Sequence, residues 1–418
     1  MNRKLIRQIA TEWRTNTWLA IELLIVSVVM WFITDQLYTT ISIQRENRGF
    51  DISHCYLLHF TQLNDNSPEY RQYKDYREKN DDLLTLAERL RRRPEVECLA
   101  FGVNAYYYNG SNSGTYMRVD TFDTGDTYYI RRFITPDFLR VFRVQGASGE
   151  TPDELAELLR RNPRGVLMSD NSFEHQGEPH MAPFIGRRIY NGSVDDSCTL
   201  VGAFVPTRYN DYYPLEASKS MFFVCPDSLL ADNTEELVVR VRENMDHDFA
   251  RGIMADASGS LRVGNWYIYA VDSFDDIRDA HQRNWDHNKR NRIVGAVFLA
   301  LNIFLGILGT FWLRTRQRVP EIAIRMVNGA TRGDIFRRIL AEGQLILLAI
   351  TPLAILLDWL LTHFELNSYY HGGYFELSRF VASVAITYAL MSLMIMLGAL
   401  IPARRATRIA PAVALNQE

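Results

Sequence analysis

The residues best suited to chemistry are a histidine pair around a cysteine and two pairs of adjacent aspartates. His54 and His59 flank Cys55, but a spacing of five residues on a strand or turn does not bring both rings onto one metal ion. The aspartate pairs at 195–196 and 275–276 are typical of solvated turns rather than of a general acid and its base. We therefore expect neither a metal site nor a catalytic pair at these positions.

The motif for nucleotide hydrolysis is also absent from these 418 residues. A phosphate-binding loop needs G-x-x-x-x-G-K-[ST], and the dipeptide Gly-Lys does not occur. The patterns H-E-x-x-H, C-x-x-C and G-x-S-x-G are missing as well. We expect this sequence to contain no enzyme active site and to bind no cofactor directly.

The amino-acid composition, and the distribution of apolar residues along the chain, predict the helices that would position any functional residue. The averages, 47% hydrophobic, 23% charged and a net charge of −3, exclude collagen-like and disordered proteins and give no reason to expect a nucleic-acid partner. A spanning helix needs about 20 mostly apolar residues. Four runs approach or meet that length, and we predict transmembrane helices at 17–38, 291–313, 344–361 and 380–401.

Two ionisable side chains lie within the apolar runs of these spans, which are Thr17–Thr34, Ile293–Leu313, Gln344–Leu361 and Phe380–Ile401. Glu22 interrupts the first span and Asp358 lies in the third. Such residues are functional candidates that face the interior of a helix bundle. Snorkelling to the nearby membrane surface is the alternative for both.

The distribution of charge predicts the orientation of the chain. The segments 1–16, 314–342 and 403–418 together carry +9, whereas 39–290 carries −9. The positive-inside rule then places both termini and the loop 314–343 in the cytoplasm. The segment 39–290 and the short loop 362–379 lie outside, and the tail 402–418 returns to the cytoplasm.

The N-terminal segment 1–16 predicts a helix that lies on the inner leaflet. Apolar side chains share one helical face, and basic side chains lie elsewhere. That apolar face consists of Leu5, Ile6, Ile9 and Trp13. An ordinary positively charged flank remains the alternative.

The outer segment predicts a large α+β domain. Helical patterns cover Asp82–Arg92 and Pro152–Arg161, with acids in the first turn and arginines in the last. Runs typical of strands alternate with them. They are Thr115–Val119, Gly165–Met168, Cys198–Phe204, Met221–Val224, Leu237–Val241 and Trp266–Val271.

All four cysteines lie in this outer segment. An even number outside the cytoplasm permits disulfides, and local pairing would join Cys55 to Cys98 and Cys198 to Cys225. Buried thiols that act as small apolar residues are the alternative.

The most informative stretch lies between the second and third spans. Apolar residues at helical spacing predict a short amphipathic helix with Pro320 in its first turn, and Glu321 and Arg325 form an i, i+4 pair. Gly329 ends the helix, and Thr331 begins a second one. The apolar face of the short helix lies either on lipid or a neighbouring helix, or in a groove of a cytosolic protein.

This stretch resembles the signature of macrolide-exporter-type (MacB/FtsX-like) ABC transporter permeases. Glu321–Thr331 (EIAIRMVNGAT) is similar to the family pattern R-E-I-G-I-R-x-x-x-G-A, and Ile335, Leu340 and Glu342 extend the match into the third span. The C-terminus is similar to the closing pattern P-A-x-x-A-x-x-x-x-P-x-x-A-L. It is carried by Pro402, Ala403, Arg405, Ala406, Pro411, Ala414 and Leu415.

The outer segment matches less specifically, and the signature has departures. Thr135–Val144 and Leu237–Arg242 are similar to landmarks of the family's outer domain. Pro320 replaces a polar residue, Ala323 a glycine and Asn328 an apolar residue of the signature. These departures bear on the docking geometry of the short helix.

The resemblance implies a non-catalytic permease subunit in the cytoplasmic (inner) membrane of a bacterium, paired as a homodimer or heterodimer. A separate cytosolic ABC ATPase would supply ATP and Mg²⁺ chemistry and dock on the short coupling helix. The docking face would include Glu321, Ile322, Arg325, Met326, Gly329 and Ala330. Membrane lipids and a periplasmic adaptor or substrate protein are further partners that it implies.

The resemblance also divides the outer domain into two parts. A porter-like part would comprise 39–145 and 228–290, and a sabre-like part would comprise 146–227. The predicted work is export of an antimicrobial or peptide, or lipoprotein handling. The alternatives are a transmitter that activates an external cell-wall hydrolase and a membrane-anchored binding module without an ATPase.

Overall fold

The structure, a computed structural model, describes residues 13–406 with gaps. The gaps are 111–112, 120–121, 124–126, 175–176, 179, 192–196, 216–217, 226–229, 231, 233–235, 365 and 367–375. Most of the predicted N-terminal helix 1–16, most of the loop 362–379 and the tail from 407 onward lie outside the described residues. The described chain forms two compact units, one containing residues up to Gln44 and from His287 onward, the other Arg45–Asp286.

The first unit is built from helices. Four helices of the described chain are long and apolar enough to cross a membrane, and each contains one predicted span. These four helices are α1 (Trp13–Arg45), α6 (Phe274–Gln317), α8 (Arg332–His363) and α9 (Leu377–Ala406), and the short helix α7 (Val319–Val327) lies between α6 and α8 along the chain. The protein is therefore a multi-pass membrane protein, as the apolar runs predicted. Helix α6 has 44 residues, about 66 Å at 1.5 Å per residue, so it extends beyond a bilayer core.

Apolar side chains from the four long helices form one core. It contains Leu19, Leu23, Met30, Ile307, Phe311, Ile346, Leu347, Met391, Ile395 and Ala399. Gly343 lets the helices approach closely, since a Cβ there would lie 2.7 Å from Ile395 and 2.8 Å from Phe311. Gln344 Nε2 donates to the Ser392 backbone carbonyl at 3.1 Å, and Ser392 Oγ donates to Gln344 Oε1 at 3.0 Å, which adds a polar link between α8 and α9.

The second unit is rich in sheet. Its strands are β1 (Cys55–Gln62), β2 (Val96–Val103), β3 (Ser113–Thr115), β4 (Met117–Val119), β5 (Phe122–Asp123), β6 (Tyr129–Ile134), β7 (Gly165–Ser169), β8 (Arg188–Asn191), β9 (Ser197–Phe204), β10 (Ser220–Val224), β11 (Glu236–Val241) and β12 (Trp266–Ser273). They form one sheet in the order β12-β1-β11-β2-β6-β10-β7-β9-β8-β4-β5, with β3 also paired to β6.

Four shorter helices whose bounds fall within the described ranges accompany this sheet. They are α2 (Tyr76–Arg91), α3 (Phe138–Val141), α4 (Pro152–Arg161) and α5 (Phe249–Asp256). Helix α4 begins and ends where the sequence predicted, because Thr151 and Glu154 form a complete capping box and Pro152 occupies the first turn. The predicted strand Thr115–Val119 is wrong as one element, because it is divided at Tyr116 into β3 and β4.

The sheet separates the predicted cysteine pairs. Cys55 on β1 and Cys98 on β2 both face Arg240 on the intervening strand β11. Two strand spacings, about 9.5 Å, exceed the Cα separation of about 7 Å that a disulfide can bridge. Cys198 lies on β9 and Cys225 follows β10, and β7 lies between these strands. None of the four cysteines forms a disulfide in the structure, which contradicts both predicted pairs.

Candidate functional site: the α7 segment

The short helix α7 and the turn after it form as local sequence dictates. Pro320 lies in the first turn of α7, and Asn328 ends it. Gly329 adopts φ of +91°, a left-handed conformation in which a side chain is strained. We call residues 318–342 the α7 segment.

The next helix begins with a complete capping box. Thr331 Oγ1 accepts a hydrogen bond from the Asp334 amide, and the Asp334 carboxylate accepts one from the Thr331 amide. Because the two side chains accept hydrogen bonds from amides at the start of the helix, this box fixes the start of α8 one residue after the turn. The α7–α8 turn is therefore specified at both of its ends.

The apolar face of α7 packs on α8. Ile322 is 6% exposed and contacts Ile335, which is 3% exposed, and Ile339 lies against this pair. Met326 and Ala330 are partly buried in the same cluster. The packing of Ile322, Met326 and Ala330 in this cluster thus holds α7 against α8. Of these three predicted docking residues, Ile322 is buried, whereas Met326 and Ala330 are partly buried and keep some surface for a partner.

A partly buried ion pair anchors the base of the segment. Arg318 Nη1 lies 2.6 Å from Glu342 Oε2, which joins the start of α7 to α8. The Glu342 residue is 8% exposed. Sequence reasoning noted Glu342 as part of the family signature, and Arg318 offered no signal for this partner 24 positions away.

The predicted Glu321–Arg325 pair is present on the polar side of α7. Arg325 donates to Glu321 Oε1 from Nε at 3.0 Å and from Nη2 at 2.6 Å. Burial raises the pKa of Glu321, but the hydrogen bond and the charges of Arg325, Arg318 and Arg338 outweigh it and lower that pKa. Glu321 therefore stays ionised among arginines.

Two exposed apolar side chains complete the surface of α7. Ile324 is 52% exposed and Val327 is 65% exposed. Neither was among the predicted docking residues, although Val327 shared the predicted apolar face. The surface of α7 is thus an apolar pair beside a charged pair, followed by the exposed Asn328-Gly329 turn.

The two intramembrane acids have different surroundings. Glu22 on α1 accepts a hydrogen bond of 3.0 Å from Thr310 Oγ1 on α6, so it faces a neighbouring helix. Asp358 on α8 is 3% exposed. A third acid, Asp35 at the end of the first apolar run, pairs at 2.5 Å with Arg379 on α9. Sequence reasoning did not identify this pair, because its members are 344 residues apart.

No metal centre competes with this interpretation in the described ranges. No group of three or more histidine, cysteine or acidic side chains there could hold a metal ion. His54 lies 2.5 Å from Asp246, and His59 lies 2.8 Å from Asp272, so each ring has its own acidic partner.

Comparison with known families decides what the helical unit is. Residues 293–411 match the family model "FtsX-like permease C-terminal", a range that contains the whole α7 segment. These residues are similar to the C-terminal domain of FtsX-like permeases. The match confirms the resemblance to MacB/FtsX-like permeases in the region of the α7 segment.

Curated relatives extend the similarity beyond the FtsX-like domain. The macrolide export ATP-binding/permease protein MacB of Salmonella paratyphi A is 22% identical over 85% of this chain and 50% of its own length. MacB of Shewanella sp. strain W3-18-1 is 31% identical over 27% of this chain and 17% of its own length. The chain thus spans about half the length, or less, of these curated relatives.

The chain also matches solved structures. A crystallised domain of a permease protein from Porphyromonas gingivalis is 13% identical, and the match covers 54% of this chain and 92% of that one. Its TM-score is 0.33.

Proposed function

We propose that this chain is the permease subunit of an ABC transporter in the cytoplasmic membrane of a bacterium. The α7 segment is its coupling helix, and a separate cytosolic ATPase that binds ATP and Mg²⁺ docks there. The α+β unit between α1 and α6 is extracytoplasmic, and both termini lie in the cytoplasm. Two permease chains, identical or related, pair in the membrane.

The observation that carries the proposal is the surface of α7. A short helix exposes Ile324 and Val327 beside a charged pair, and its opposite face is fixed to α8. An exposed apolar pair on a rigid helix is suited to a groove of a partner protein. The FtsX-like match, which contains α7, supports an ATPase as that partner.

The transporter does its work by changing the conformation of its extracytoplasmic unit. ATP-driven closure of the ATPase pair moves the membrane helices, and the movement reaches the sheet unit through α6. The relatives named for macrolide export support efflux of an antimicrobial or peptide, and lipoprotein handling uses the same machinery. The porter-like (39–145, 228–290) and sabre-like (146–227) parts are then the portions of the sheet unit that meet an adaptor or substrate protein.

Copurification tests the proposal. Affinity purification of the full chain in mild detergent is expected to recover an ATPase subunit, and Gly329→Pro is expected to reduce its yield about tenfold. Proline requires φ near −65°, whereas Gly329 has φ of +91°, so the turn after α7 must distort. Gly149→Pro is the matched control, since Gly149 is a left-handed turn glycine in the sheet unit.

A charge exchange separates docking from helix stability. Glu321→Arg is expected to weaken recovery of the ATPase, because it breaks the pair with Arg325 and adds charge to an arginine-rich surface. The double variant Glu321→Arg/Arg325→Glu restores a pair within α7. Recovery that stays low identifies the individual charges as docking contacts, whereas full recovery limits them to stabilising the helix. Repeated absence of any ATPase from wild-type preparations contradicts the proposal and favours the membrane-anchored binding module.

A further inference from the structure

The loop between β9 and β10 contacts two segments of the sheet unit that adjoin the long helices. We call residues 205–219 the β9–β10 loop, of which 216–217 are not described. One segment, 46–49, directly follows α1, and the other, 274–286, is the first part of α6. Residues 45–286 all belong to the sheet unit.

Asp211 in this loop binds both segments at once. Its Oδ1 lies 3.3 Å from Arg48 Nε, and its Oδ2 accepts a hydrogen bond of 2.7 Å from Arg278 Nε and lies 2.7 Å from Arg278 Nη2. Tyr108 donates a further hydrogen bond of 2.7 Å to Oδ1. The Asp211 side chain is only 6% exposed, so these bonds form largely away from water and are stronger than surface pairs.

Backbone contacts reinforce the attachment to the segment after α1. The Arg208 amide donates to the Arg48 carbonyl at 3.0 Å, and Arg208 Nη1 donates to the Glu46 carbonyl at 3.4 Å. Gly49 has φ of +76°, and a Cβ there would lie 2.2 Å from the Pro206 carbonyl oxygen. The two backbones are therefore too close to admit a side chain at this position.

Aromatic contacts reinforce the attachment to α6. The Tyr212 ring stacks on Trp285 with centroids 5.5 Å apart and an interplanar angle of 20°, and its hydroxyl donates to Asp286. Tyr209 meets His281 edge to face at 6.0 Å. These contacts lie one and two turns along α6 from Arg278, so the loop follows the helix rather than touching it at one point.

We infer that Asp211 is a positioning residue that locks strands β9 and β10 to both segments adjoining the long helices. Strands β9 and β10 flank β7 in the sheet, so the loop joins this half of the sheet directly to α6. Helix α6 continues without a break into its apolar part. In the working transporter this lock carries movement of α6 to β7–β10. That role rests on the proposed function.

Exchange of amide hydrogens in the full chain, held in lipid nanodiscs without ATPase, tests the lock. Asp211→Asn keeps the shape but loses the charge that pairs with Arg48 and Arg278. We expect exchange to rise about tenfold in 46–49, in the loop and in 274–286 together, as loss of charged hydrogen bonds predicts. Faster exchange confined to the loop overturns the inference.

Asp137→Asn is the matched control. Asp137 also binds two arginines, with Arg140 at 3.2 Å and Arg160 at 2.5 Å, but its partners lie on α3 and α4. The changes in amide exchange that Asp137→Asn causes should be confined to residues near α3 and α4. If Asp211→Asn does not fold, Arg278→Gln takes its place, because it leaves the Arg48–Asp211 pair intact. That variant must still raise exchange in the loop for the inference to stand.

A second arm tests the use of the lock with the ATPase bound. In wild type, ATP with vanadate is expected to change exchange in α6 and in β7–β10. In Asp211→Asn the change in α6 should persist while the change in β7–β10 falls at least threefold. Equal responses in both chains overturn the transmission role. A wild-type chain without any ATP response contradicts the proposed function instead, and the nanodisc arm still decides the lock.

Discussion

The α7 segment and the β9–β10 loop both use arginine–carboxylate contacts, but they draw their partners from different distances. Glu321 and Arg325 are four residues apart, and Thr331 and Asp334 are three apart. Asp211 reaches Arg48 across 163 residues and Tyr108 across 103. The first set can form in an isolated helix, whereas the second needs the folded sheet unit.

The two sets of contacts also differ in how deeply their side chains are buried. The Glu321 and Arg325 side chains are 38% and 36% exposed, and such pairs contribute little because water screens them. Asp211 is almost enclosed, and burial, which raises its pKa, is outweighed by hydrogen bonds and nearby arginines that lower it. The comparison teaches that contacts between residues close in sequence shape the surface, while contacts between residues far apart in sequence stabilise the interior of a unit.

The largest expected effect tests the most distant pair. Asp35→Asn is expected to lower the free energy of unfolding of the helical unit by about 3 kcal/mol, because Arg379 loses its counter-charge in a buried site. Unfolding by SDS, followed by tryptophan fluorescence, measures the effect. Glu376→Gln, at an exposed position near the start of α9, is the control. A loss below about 1 kcal/mol for Asp35→Asn contradicts the comparison.

A buried acid in the sheet unit gives a pH-dependent effect. Burial raises the pKa of Glu236 to about 7, against an ordinary value of 4.5, although the Ala105 and Tyr106 amides donate to its carboxylate. The folded state therefore holds a proton that the unfolded state releases. Stability is fully present below about pH 4.5 and falls by about 3 kcal/mol as pH rises to 7.

Glu236→Gln should remove this pH dependence from the exchange of the Ala105 and Tyr106 amides. Glu97→Gln changes an exposed glutamate on β2 and should retain the wild-type profile. A Glu236→Gln chain that still loses protection between pH 5 and 7 shows that another group titrates there.

The smallest effect tests a contact close in sequence. Thr331→Ala removes the side-chain half of the α8 capping box and is expected to raise exchange of the Asp334 amide about fivefold. Thr151→Ala removes the equivalent half of the capping box at α4 and should raise exchange of the Glu154 amide by a similar factor. Effects that spread beyond the first turn of either helix contradict a purely local role.

Features close in sequence were predictable for this chain. The four spans follow from the length of apolar runs, α4 from its capping box and the α7–α8 turn from Gly329 and Thr331. Strands β1, β2, β5, β6 and β8 were not among the predicted runs. β2 shows the reason, since it is buried over most of its length and lacks the alternation that reveals a half-exposed strand.

The candidate site divides in the same way. The Glu321–Arg325 pair follows from its spacing on a helix. In the structure Ile322 faces α8, while Ile324 and Val327 face outward. This arrangement depends on where α8 packs, and the amphipathic pattern of the nine residues of α7 does not specify that position. The proposed docking surface therefore shifts from Ile322 to its exposed neighbours.

By itself, the sequence determined that this is a multi-pass membrane protein with a permease signature, because hydrophobic length and short-range spacing act within one helix or turn. Only the tertiary structure decided that the cysteines stand two strands apart, that Asp35 meets Arg379 and that Asp211 binds both segments beside the long helices. Such contacts require distant parts of the chain to meet, and the register of strands and the packing of helices select which side chains do so.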